Sequence, residues 1–271
     1  MMPLNVKKAT ESKMKSSERE VELQEKIQAM REGGKILGQL LKDLHEYVQP
    51  GMSEKEIDAW VREEVVKRGA TVAYDELEEK FPGAICISTN EQLVHGAPSD
   101  YVLEVGDKVS FDMVIGYKGY YTDAAFTMLV GGTGNAAVKK MLSVTKSSLY
   151  EGIEQVKPGA KLGDIGYAVQ KTLEKGKLGV IENYVGHFIG KKMHMSPDVP
   201  NYGKRGHGYE LKVGDTLCIE PMASLGKPAN HIARDGSGWT VEMNDGSVGC
   251  HFEHTILVTD DGYEILTPWD E

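Results

Sequence analysis

Apolar residues near the start of the chain recur at helical spacing. Between Glu22 and Tyr47, leucine, isoleucine and methionine return every three to four positions, which predicts an amphipathic helix. Pro50 and Gly51 follow, and this pair should end the helix. Residues 1–21 are polar and mixed in charge, so we expect a loose extension ahead of the helix.

The rest of the pattern predicts three shorter helices and a β-rich second half. Ser53 and Glu56 have the spacing of a capping box, which marks a helix start. Helical periodicity also covers residues 136–156 and 162–176. Beyond Gly179 the runs are β-rich, which indicates strands to the end of the chain.

Residues 108–130 contain two β-rich runs around a glycine-flanked turn, which predicts a hairpin. With Tyr117 and Lys118 as the turn, Asp112 and Asp123 stand directly opposite each other, where like charges destabilise a sheet. Partial burial of the strands increases that cost. A bound divalent cation removes it, since carboxylate oxygens are ligands for such ions. The alternative is that one aspartate is solvated at the sheet surface.

Two motifs recur at one offset. A Val-x-Pro-Gly motif at residue 48 returns at residue 156, and a Leu-x-Val-Gly-Asp motif at residue 103 returns at residue 211, both 108 residues later. Two matches at the same offset indicate a duplicated helix-then-strand unit. Each half has few strands for a core of its own, so we predict one pseudo-symmetric body.

More acids stand in β-rich runs. The duplication aligns Asp112 with Glu220, and Glu253 lies in a further run of strand-forming residues. A lone acid in a strand usually faces solvent. Four such acids, two of them related by the repeat, favour one shared site, and four carboxylates can hold two cations through bridging oxygens.

Three of the eight histidines carry a signal. His95 and His187 each stand beside a glycine, which allows backbone or substrate to approach closely, and His194 follows seven residues after His187. We expect three others to be surface residues: His45, His207 and His231. The pattern leaves two undecided: His251 and His254.

Composition and charge exclude several classes of protein. The 271 residues carry a net charge of −10, which argues against a nucleic-acid binder. The three cysteines are far apart and form neither a disulfide framework nor a zinc knuckle, which fits a reducing cytoplasm. We expect no membrane span and no signal peptide, because the chain has no apolar run of about 18 residues and no apolar stretch after its first lysines.

The chain resembles type I methionine aminopeptidases, which share a duplicated fold called the pita-bread fold. The resemblance covers about residues 22–268. It rests on five segments in the family's order and spacing: CISTNEQLVHGAP, SFDMVIGYKGYYTDAAF, GHFIGKKMHMSP, CIEPM and FEHTI. It implies an α+β class, with helices on the outer face of a central, curved and largely antiparallel sheet. Residues 22–271 would then form a single catalytic domain of two similar halves.

The resemblance also implies the residues of an active site. Five residues would bind two divalent metal ions (cobalt, manganese, iron, zinc or nickel): Asp112, Asp123, His187, Glu220 and Glu253. Three residues would be catalytic: His95, His194 and Glu220. Of these, the two histidines would also face the substrate. Four would form the pocket for the methionine side chain: Phe81, Cys86, Met193 and Trp239.

Two residues depart from the family pattern. Phe188 follows His187 where the family usually has glycine, and its ring is expected to narrow the substrate channel. Met193 stands where phenylalanine is common. Both departures bear on side-chain preference and turnover rather than on metal binding.

The implied function is removal of the initiator methionine from nascent proteins and peptides by metal-activated water. The expected partners are peptides with an N-terminal methionine and nascent chains near the ribosome, with neither DNA nor membrane, and we expect a cytoplasmic monomer. Two alternatives stay open: a relative of the same fold that prefers Xaa-Pro substrates, and a non-catalytic binding protein.

Overall fold

The chain folds into helices and strands that alternate in two similar halves. The computed structural model describes the backbone of residues 4–270 and the side chains of residues 19–270. Its α-helices are α1 (Leu4–Tyr47), α2 (Glu54–Lys67), α3 (Ala136–Ile153) and α4 (Leu162–Gly176). Its strands are β1 (Thr71–Val72), β2 (Cys86–Thr89), β3 (Gln92–Val94), β4 (Lys108–Tyr117), β5 (Tyr120–Leu129), β6 (Gly179–Val180), β7 (Gly186–Phe188), β8 (Met195–Val199), β9 (Thr216–Ile219), β10 (Met222–Ser224), β11 (Asn230–Ile232), β12 (Val241–Met243), β13 (Gly249–His251), β14 (Glu253–Val258) and β15 (Tyr263–Ile265). Two 3₁₀ turns, Ala73–Glu76 and Val130–Gly132, complete the regular structure.

Helix α1 differs from the prediction at its N-terminus. It begins at Leu4 rather than near Glu22, so the expected loose extension is wrong from Leu4 onward, while residues 1–3 lie outside the described part. The segment lacks an apolar stripe, which is why periodicity misses it. It is nevertheless rich in lysine and glutamate, which have high helix propensity and can extend an existing helix.

Helix α2 starts as its sequence predicts. The Ser53 side chain accepts a hydrogen bond from the Glu56 amide, and the Glu56 carboxylate accepts one from the Ser53 amide. This reciprocal capping box satisfies two amides that the helix leaves without intrahelical partners. The predicted helix over residues 162–176 is confirmed by α4, and α3 ends at Ile153, three residues before its predicted end.

A nine-stranded sheet joins the two halves. Its order is β1-β4-β5-β14-β9-β7-β8, with β2 beside β4 and β15 beside β14, and every pairing is antiparallel. The first half contributes β4 and β5, the second contributes β9 and β14, and the halves meet where Ala125 pairs with Glu253. Helix α1 packs against β4 and β5, and α3 packs against α4. This arrangement confirms the predicted α+β class.

The central hairpin has a different register from the predicted one. Its turn is Lys118-Gly119, with φ angles of 49° and 79°. A two-residue turn with two positive φ angles matches the twist of the strands, which explains its position. Asp112 therefore pairs with Ala125 and not with Asp123. The two aspartates are diagonal neighbours on one face of the hairpin, still within reach of a shared ligand.

The predicted duplication is visible in the backbone. In the first half the Gly51 amide donates to the Leu103 carbonyl, and in the second half the Gly159 amide donates to the Leu211 carbonyl. Isolated antiparallel bridges repeat the correspondence, joining Ser53 to Val102 and Lys161 to Glu210. Each pair of equivalent residues is 108 positions apart. No helix among residues 4–270 combines the length and apolarity that a membrane crossing requires.

Candidate metal centre and substrate cavity

Five ligand-type side chains meet at the centre of the nine-stranded sheet. Each comes from a different strand or strand end: Asp112 from β4, Asp123 from β5, His187 from β7, Glu220 directly after β9 and Glu253 from the start of β14. All five line one cavity of about 320 Å³. The structure thus brings together the five residues that the sequence resemblance marks as metal ligands.

The imidazole of His187 lies between carboxylates of both halves. Its Nε2 atom is 3.7 Å from Asp123 Oδ2 and 3.6 Å from Glu220 Oε1. All three side chains are largely buried, with 5–11% of their surface exposed. These separations exceed the 2.7–3.2 Å of an ordinary hydrogen bond, so the groups face one another across a gap.

Crowded acids perturb the protonation of the whole cluster. Burial, and then the nearby Asp123 carboxylate, raises the pKa of Asp112 to about 8. Burial and the Asp123 and Glu220 carboxylates raise the pKa of Glu253 well above its usual range. Burial alone would lower the pKa of His187, but Asp123 and Glu220 outweigh it and raise the pKa to about 9. The site therefore favours added positive charge.

The donor atoms of the cluster fit a bound cation. Asp123 Oδ1 and Glu253 Oε1 are buried and have no hydrogen-bond partner among the described residues. Buried carboxylate oxygens without partners are costly. Donor atoms of Asp123, His187, Cys218 and Glu253 lie within 4.8 Å of one another, as do those of Glu220, His251 and Glu253. Oxygen donors with imidazole nitrogen suit divalent transition ions.

Two further histidines, His95 and His194, line the cavity. His95 follows β3 with a left-handed backbone, φ 55°, which is uncommon for a residue with a side chain. Burial lowers the pKa of His95 to about 4, so its imidazole is neutral at pH 7. The His194 ring lies 4.3 Å from the His187 ring, centroid to centroid. Partial burial and then His187 lower the pKa of His194.

The remaining cavity wall is apolar and aromatic. It includes the four residues expected to form a side-chain pocket: Phe81, Cys86, Met193 and Trp239. The Phe81 and Trp239 rings meet edge to face at 5.8 Å, and Tyr74 packs on Phe81 at 5.0 Å. Cys86 of β2 pairs with Asp112 of β4, which places the apolar wall next to the acid cluster.

The expectation for Phe188 is wrong. Among the described residues, Phe188 is not part of the cavity wall, and its buried ring packs edge to face on Tyr209 at 5.4 Å. The Phe188 ring therefore packs away from the cavity that His187 lines and does not narrow the channel. Met193 does line the cavity, as expected.

The sequence left His251 undecided and did not indicate that Cys218 and Tyr74 lie at the site. His251 is buried beside Glu220 and Glu253, and the Cys218 sulfur lies within 4.8 Å of donor atoms of Asp123, His187 and Glu253. Strand alternation could have found Cys218, which precedes Glu220 by two positions along β9, but not His251, since β13 ends at His251 and β14 begins at Glu253. Tyr74 reaches the cavity from a 3₁₀ turn, for which the sequence offers no signal. The three histidines expected at the surface are exposed: His45, His207 and His231.

Comparison with known proteins agrees with this geometry. The model of metallopeptidase family M24 matches residues 28–260. The chain belongs to metallopeptidase family M24. Membership in a metallopeptidase family implies the use of divalent metal, and the buried cluster supplies potential ligands for it.

Relatives within the M24 family are named methionine aminopeptidases. Methionine aminopeptidase 1 of Bacillus subtilis is 40% identical over 238 residues, which are 88% of this chain and 94% of the relative. The crystal structure of methionine aminopeptidase from Rickettsia prowazekii superposes with a TM-score of 0.86 at 36% identity, over 90% of this chain and 97% of that one. The pita-bread fold is thereby confirmed.

A more distant M24 likeness shows the fold alone. The prolidase from Pyrococcus horikoshii superposes with a TM-score of 0.69 at 24% identity. The match covers 90% of this chain but 62% of the prolidase chain. Peptidases named for proline-containing substrates therefore share the architecture, and the choice of substrate depends on the site.

Proposed function

We propose that this protein removes the N-terminal methionine from peptides and newly made proteins by metal-dependent hydrolysis. One observation carries the proposal: a buried cluster of four carboxylates and His187 opens directly onto an apolar cavity. Relatives at about 40% identity over most of the chain are named methionine aminopeptidases, which supports this choice among peptidase activities.

The proposal includes two divalent cations held by Asp112, Asp123, His187, Glu220 and Glu253. Two cations are supported by the carboxylate of Glu220, whose oxygens face different neighbours: Oε1 faces His187 and Oε2 faces His251. Cobalt, manganese, iron, zinc and nickel all accept such oxygen and nitrogen donors. When bound, a metal pair lowers the pKa of water so that hydroxide is available near neutral pH.

In this proposal the protein's own side chains bind, orient and move protons. Glu220 accepts the proton of the attacking water and delivers it to the leaving amine. His194, which reaches solvent at the cavity, donates a hydrogen bond to the oxygen of the scissile carbonyl as negative charge develops there. His95, whose imidazole is neutral at pH 7, contacts the peptide backbone beside the cleaved bond.

The apolar wall supports a preference for methionine. Phe81, Cys86, Met193 and Trp239 offer a surface of rings and sulfur atoms. An unbranched thioether side chain adapts well to such a wall and makes favourable contacts with aromatic ring edges. A metal ion held by the acid cluster beside the wall would bind the free α-amine of the substrate, which would account for cleavage at the chain end only.

The proposal places the protein with its substrates. Newly made chains begin with their first methionine, so the proposed substrates are nascent proteins near the ribosome and peptides with an N-terminal methionine. We propose a cytoplasmic monomer on this basis. Neither DNA nor a membrane is part of the proposed reaction.

Release of methionine from Met-Ala-Ser tests the proposal. The full-length protein is stripped with a chelator, reloaded with cobalt or manganese, and assayed on Met-Ala-Ser, Leu-Ala-Ser and an Xaa-Pro dipeptide. We expect methionine release only after reloading, with a clear preference over the other two substrates. Cleavage of the Xaa-Pro substrate alone would support the prolidase-like alternative. Metal uptake without hydrolysis of any substrate would support a binding protein.

A matched variant ties the activity to this cavity. Glu220→Gln keeps the size of the side chain but removes the proposed proton acceptor, so methionine release should be lost. His231→Gln changes an exposed histidine that is not among the residues lining the cavity and should leave the rate unchanged. Equal rates in Glu220→Gln and the unmodified protein would overturn the assignment.

A further inference from the structure

His251 is a buried histidine without a partner of its own. Its side chain is 2% exposed, and neither ring nitrogen has a hydrogen-bond partner among the described residues. Nε2 lies 3.5 Å from Glu220 Oε2 and 3.8 Å from Glu253 Oε2, and Nδ1 lies 4.0 Å from Asp112 Oδ2. Leaving buried ring nitrogens without partners is costly, so the ring requires a further interaction.

The spacing around His251 matches that of neighbouring ligands of one ion. Two atoms that each bind a divalent ion at about 2.1 Å lie roughly 3–3.5 Å apart at ordinary coordination angles. The gaps from His251 to Glu220 and Glu253 are close to this value, and so are the 3.6 and 3.7 Å gaps around His187. Glu220 therefore presents one carboxylate oxygen to each imidazole.

The internal duplication gives independent support. In the first half, the Asp123 amide donates to the Thr255 hydroxyl at 2.9 Å, and that hydroxyl donates to the Asp123 carbonyl at 2.7 Å. In the second half, the His251 amide donates to the Thr127 hydroxyl at 3.1 Å, and that hydroxyl donates to the His251 carbonyl at 2.6 Å. Thr127 and Thr255 hold equivalent places, 128 positions apart, and so do Asp123 and His251.

A second contact repeats the same correspondence. The Ser110 hydroxyl hydrogen-bonds Thr127 at 2.8 Å, and the Cys218 thiol lies 3.7 Å from the Thr255 hydroxyl. Ser110 and Cys218 are 108 positions apart, the offset of the sequence repeat. His251 thus occupies, in the second half, the position from which Asp123 points into the metal centre.

We infer that His251 is a sixth ligand of the metal pair and binds, through Nε2, the cation that Glu220 Oε2 and Glu253 Oε2 also face. The inference rests on the proposed two-metal site and deepens it. Each cation then has one imidazole, His187 for one and His251 for the other. A nitrogen donor at both positions favours divalent transition ions over magnesium and calcium, which prefer oxygen donors alone. Asp112 faces the remaining nitrogen and can orient the ring.

Proton NMR of the cobalt-loaded protein tests this directly. An imidazole bound to paramagnetic cobalt gives an exchangeable N–H signal shifted far outside the ordinary range. The metal-stripped full-length protein is titrated with Co²⁺ alone, and bound cobalt is counted by elemental analysis. We expect two such signals at two cobalt ions per chain. One signal at two cobalt ions would overturn the inference, and this reading needs no variant.

Variants assign the second signal. His251→Gln should remove one shifted signal and weaken binding of one cobalt ion at least about 10-fold. His251→Asp mirrors Asp123, so it should lose the same signal and regain part of the cobalt affinity. His231→Gln, an exposed control, should keep both signals. If His251→Gln weakens cobalt binding but keeps both signals, His251 is a positioning residue and the inference fails.

The same titration separates this inference from the proposed function. If no cobalt binds, both the metal centre and the sixth ligand are wrong. If two cobalt ions bind with His187 as the sole coordinated imidazole, and methionine is released, the proposed function stands and the inference alone is overturned.

Discussion

The two halves of the molecule share a backbone but differ in the polar groups that it carries. Lys108 and Thr216 stand at equivalent starts of β4 and β9, opposite Leu129 and Leu257. Lys108 is fully buried, and its ammonium group donates to the Ser88 and Gln92 carbonyls. Thr216 has a neutral hydroxyl at the equivalent position, and this hydroxyl donates to the Ile189 carbonyl.

A second difference lies at the junction of the halves. Ala125 and Glu253 are equivalent residues that pair with each other where β5 meets β14. The first half has a methyl group there, and the second has a buried carboxylate. Glu54, buried and hydrogen-bonded to Thr89 and Ser99, likewise has the apolar Leu162 as its counterpart.

These differences show that the duplication gives both halves the same backbone, while different side chains at equivalent positions give each half its own polar groups. Both halves direct an acid into the centre from the same strand position, Asp112 in one and Glu220 in the other. The second half adds His187, His251 and Glu253. The first half adds Asp123 and buries the Lys108 ammonium group, which bonds the Ser88 and Gln92 carbonyls of the segment leading to His95. The halves are alike in architecture and unlike in their share of the site.

Removing either of the aligned acids should have the largest effect. Asp112→Asn and Glu220→Gln each delete a proposed ligand, and we expect each to lower kcat/KM for Met-Ala-Ser by about 10³-fold or more, roughly 4 kcal/mol of transition-state stabilisation. Steady-state kinetics under saturating metal measures this. A variant that keeps near-normal activity would show that the aligned acids are not equivalent.

The same Asp112→Asn variant should fold. It removes one of four crowded carboxylates, and burial together with Asp123 already disfavours the charged form of Asp112 by raising its pKa to about 8. We therefore expect the metal-free variant to melt at or above the temperature of the metal-free parent. Thermal unfolding followed by circular dichroism measures this, and an unfolded variant would contradict it.

Each half also has a glycine beside its site histidine, and alanine at either place should destabilise the fold. A Cβ at Gly96 would lie 2.1 Å from the Ile87 carbonyl oxygen, and one at Gly186 would lie 2.3 Å from the Cys218 carbonyl oxygen. We expect Gly96→Ala and Gly186→Ala each to lose about 2–3 kcal/mol of unfolding free energy and most activity. Urea denaturation measures the first quantity.

A third glycine provides the control for that pair. A Cβ at Gly262 would have no neighbour within 4 Å in the described part of the chain, so Gly262→Ala should leave stability within about 0.5 kcal/mol. If Gly96→Ala tolerated the methyl group and Gly186→Ala did not, the close approach would belong to one half only.

Buried Lys108 should make the free energy of unfolding depend on pH, whereas its equivalent in the second half, Thr216, should not. Burial lowers the pKa of Lys108 to about 7, against an ordinary value near 10.4. Between these values the unfolded chain holds a proton that the folded chain lacks, so the Lys108 contribution to unfolding free energy rises with pH, by up to roughly 1.4 kcal/mol per pH unit.

Chemical denaturation at pH 7, 8 and 9 measures that contribution. Lys108→Met should reduce the slope of unfolding free energy against pH, because its side chain cannot titrate. Thr216→Val should leave the slope as it is in the parent protein. Equal slopes for Lys108→Met and the parent would mean that Lys108 keeps an ordinary pKa.

The smallest expected difference concerns the helix starts. Ser53 caps α2 with its side chain, so Ser53→Ala should lower the unfolding free energy by about 1 kcal/mol. Its equivalent Lys161 forms a partly exposed ion pair with Glu210, so Lys161→Ala should cost less than about 0.5 kcal/mol. Urea denaturation of both variants compares them, and equal losses would show that the two starts are capped alike.

Local features of the sequence predict local features of the fold. The Ser53–Glu56 box, the helix over residues 162–176 and the hairpin over residues 108–130 follow from spacing and turn residues, because neighbours in sequence determine them. The predicted hairpin register is wrong, since the register depends on which two residues take positive φ angles. The start of α1 was also wrong, because a polar segment can be helical without an apolar stripe to indicate it.

By itself, the sequence determined that the chain is duplicated and which acids and histidines suit a metal site. Both can be recognised from residue types and their spacing alone. The tertiary structure alone decided that Phe188 turns away from the cavity while His251 turns toward Glu220. Side-chain direction and the meeting of residues more than a hundred positions apart depend on strand register, on the pairing of β5 with β14 and on the joining of two halves. Those relations are properties of the whole packed sheet.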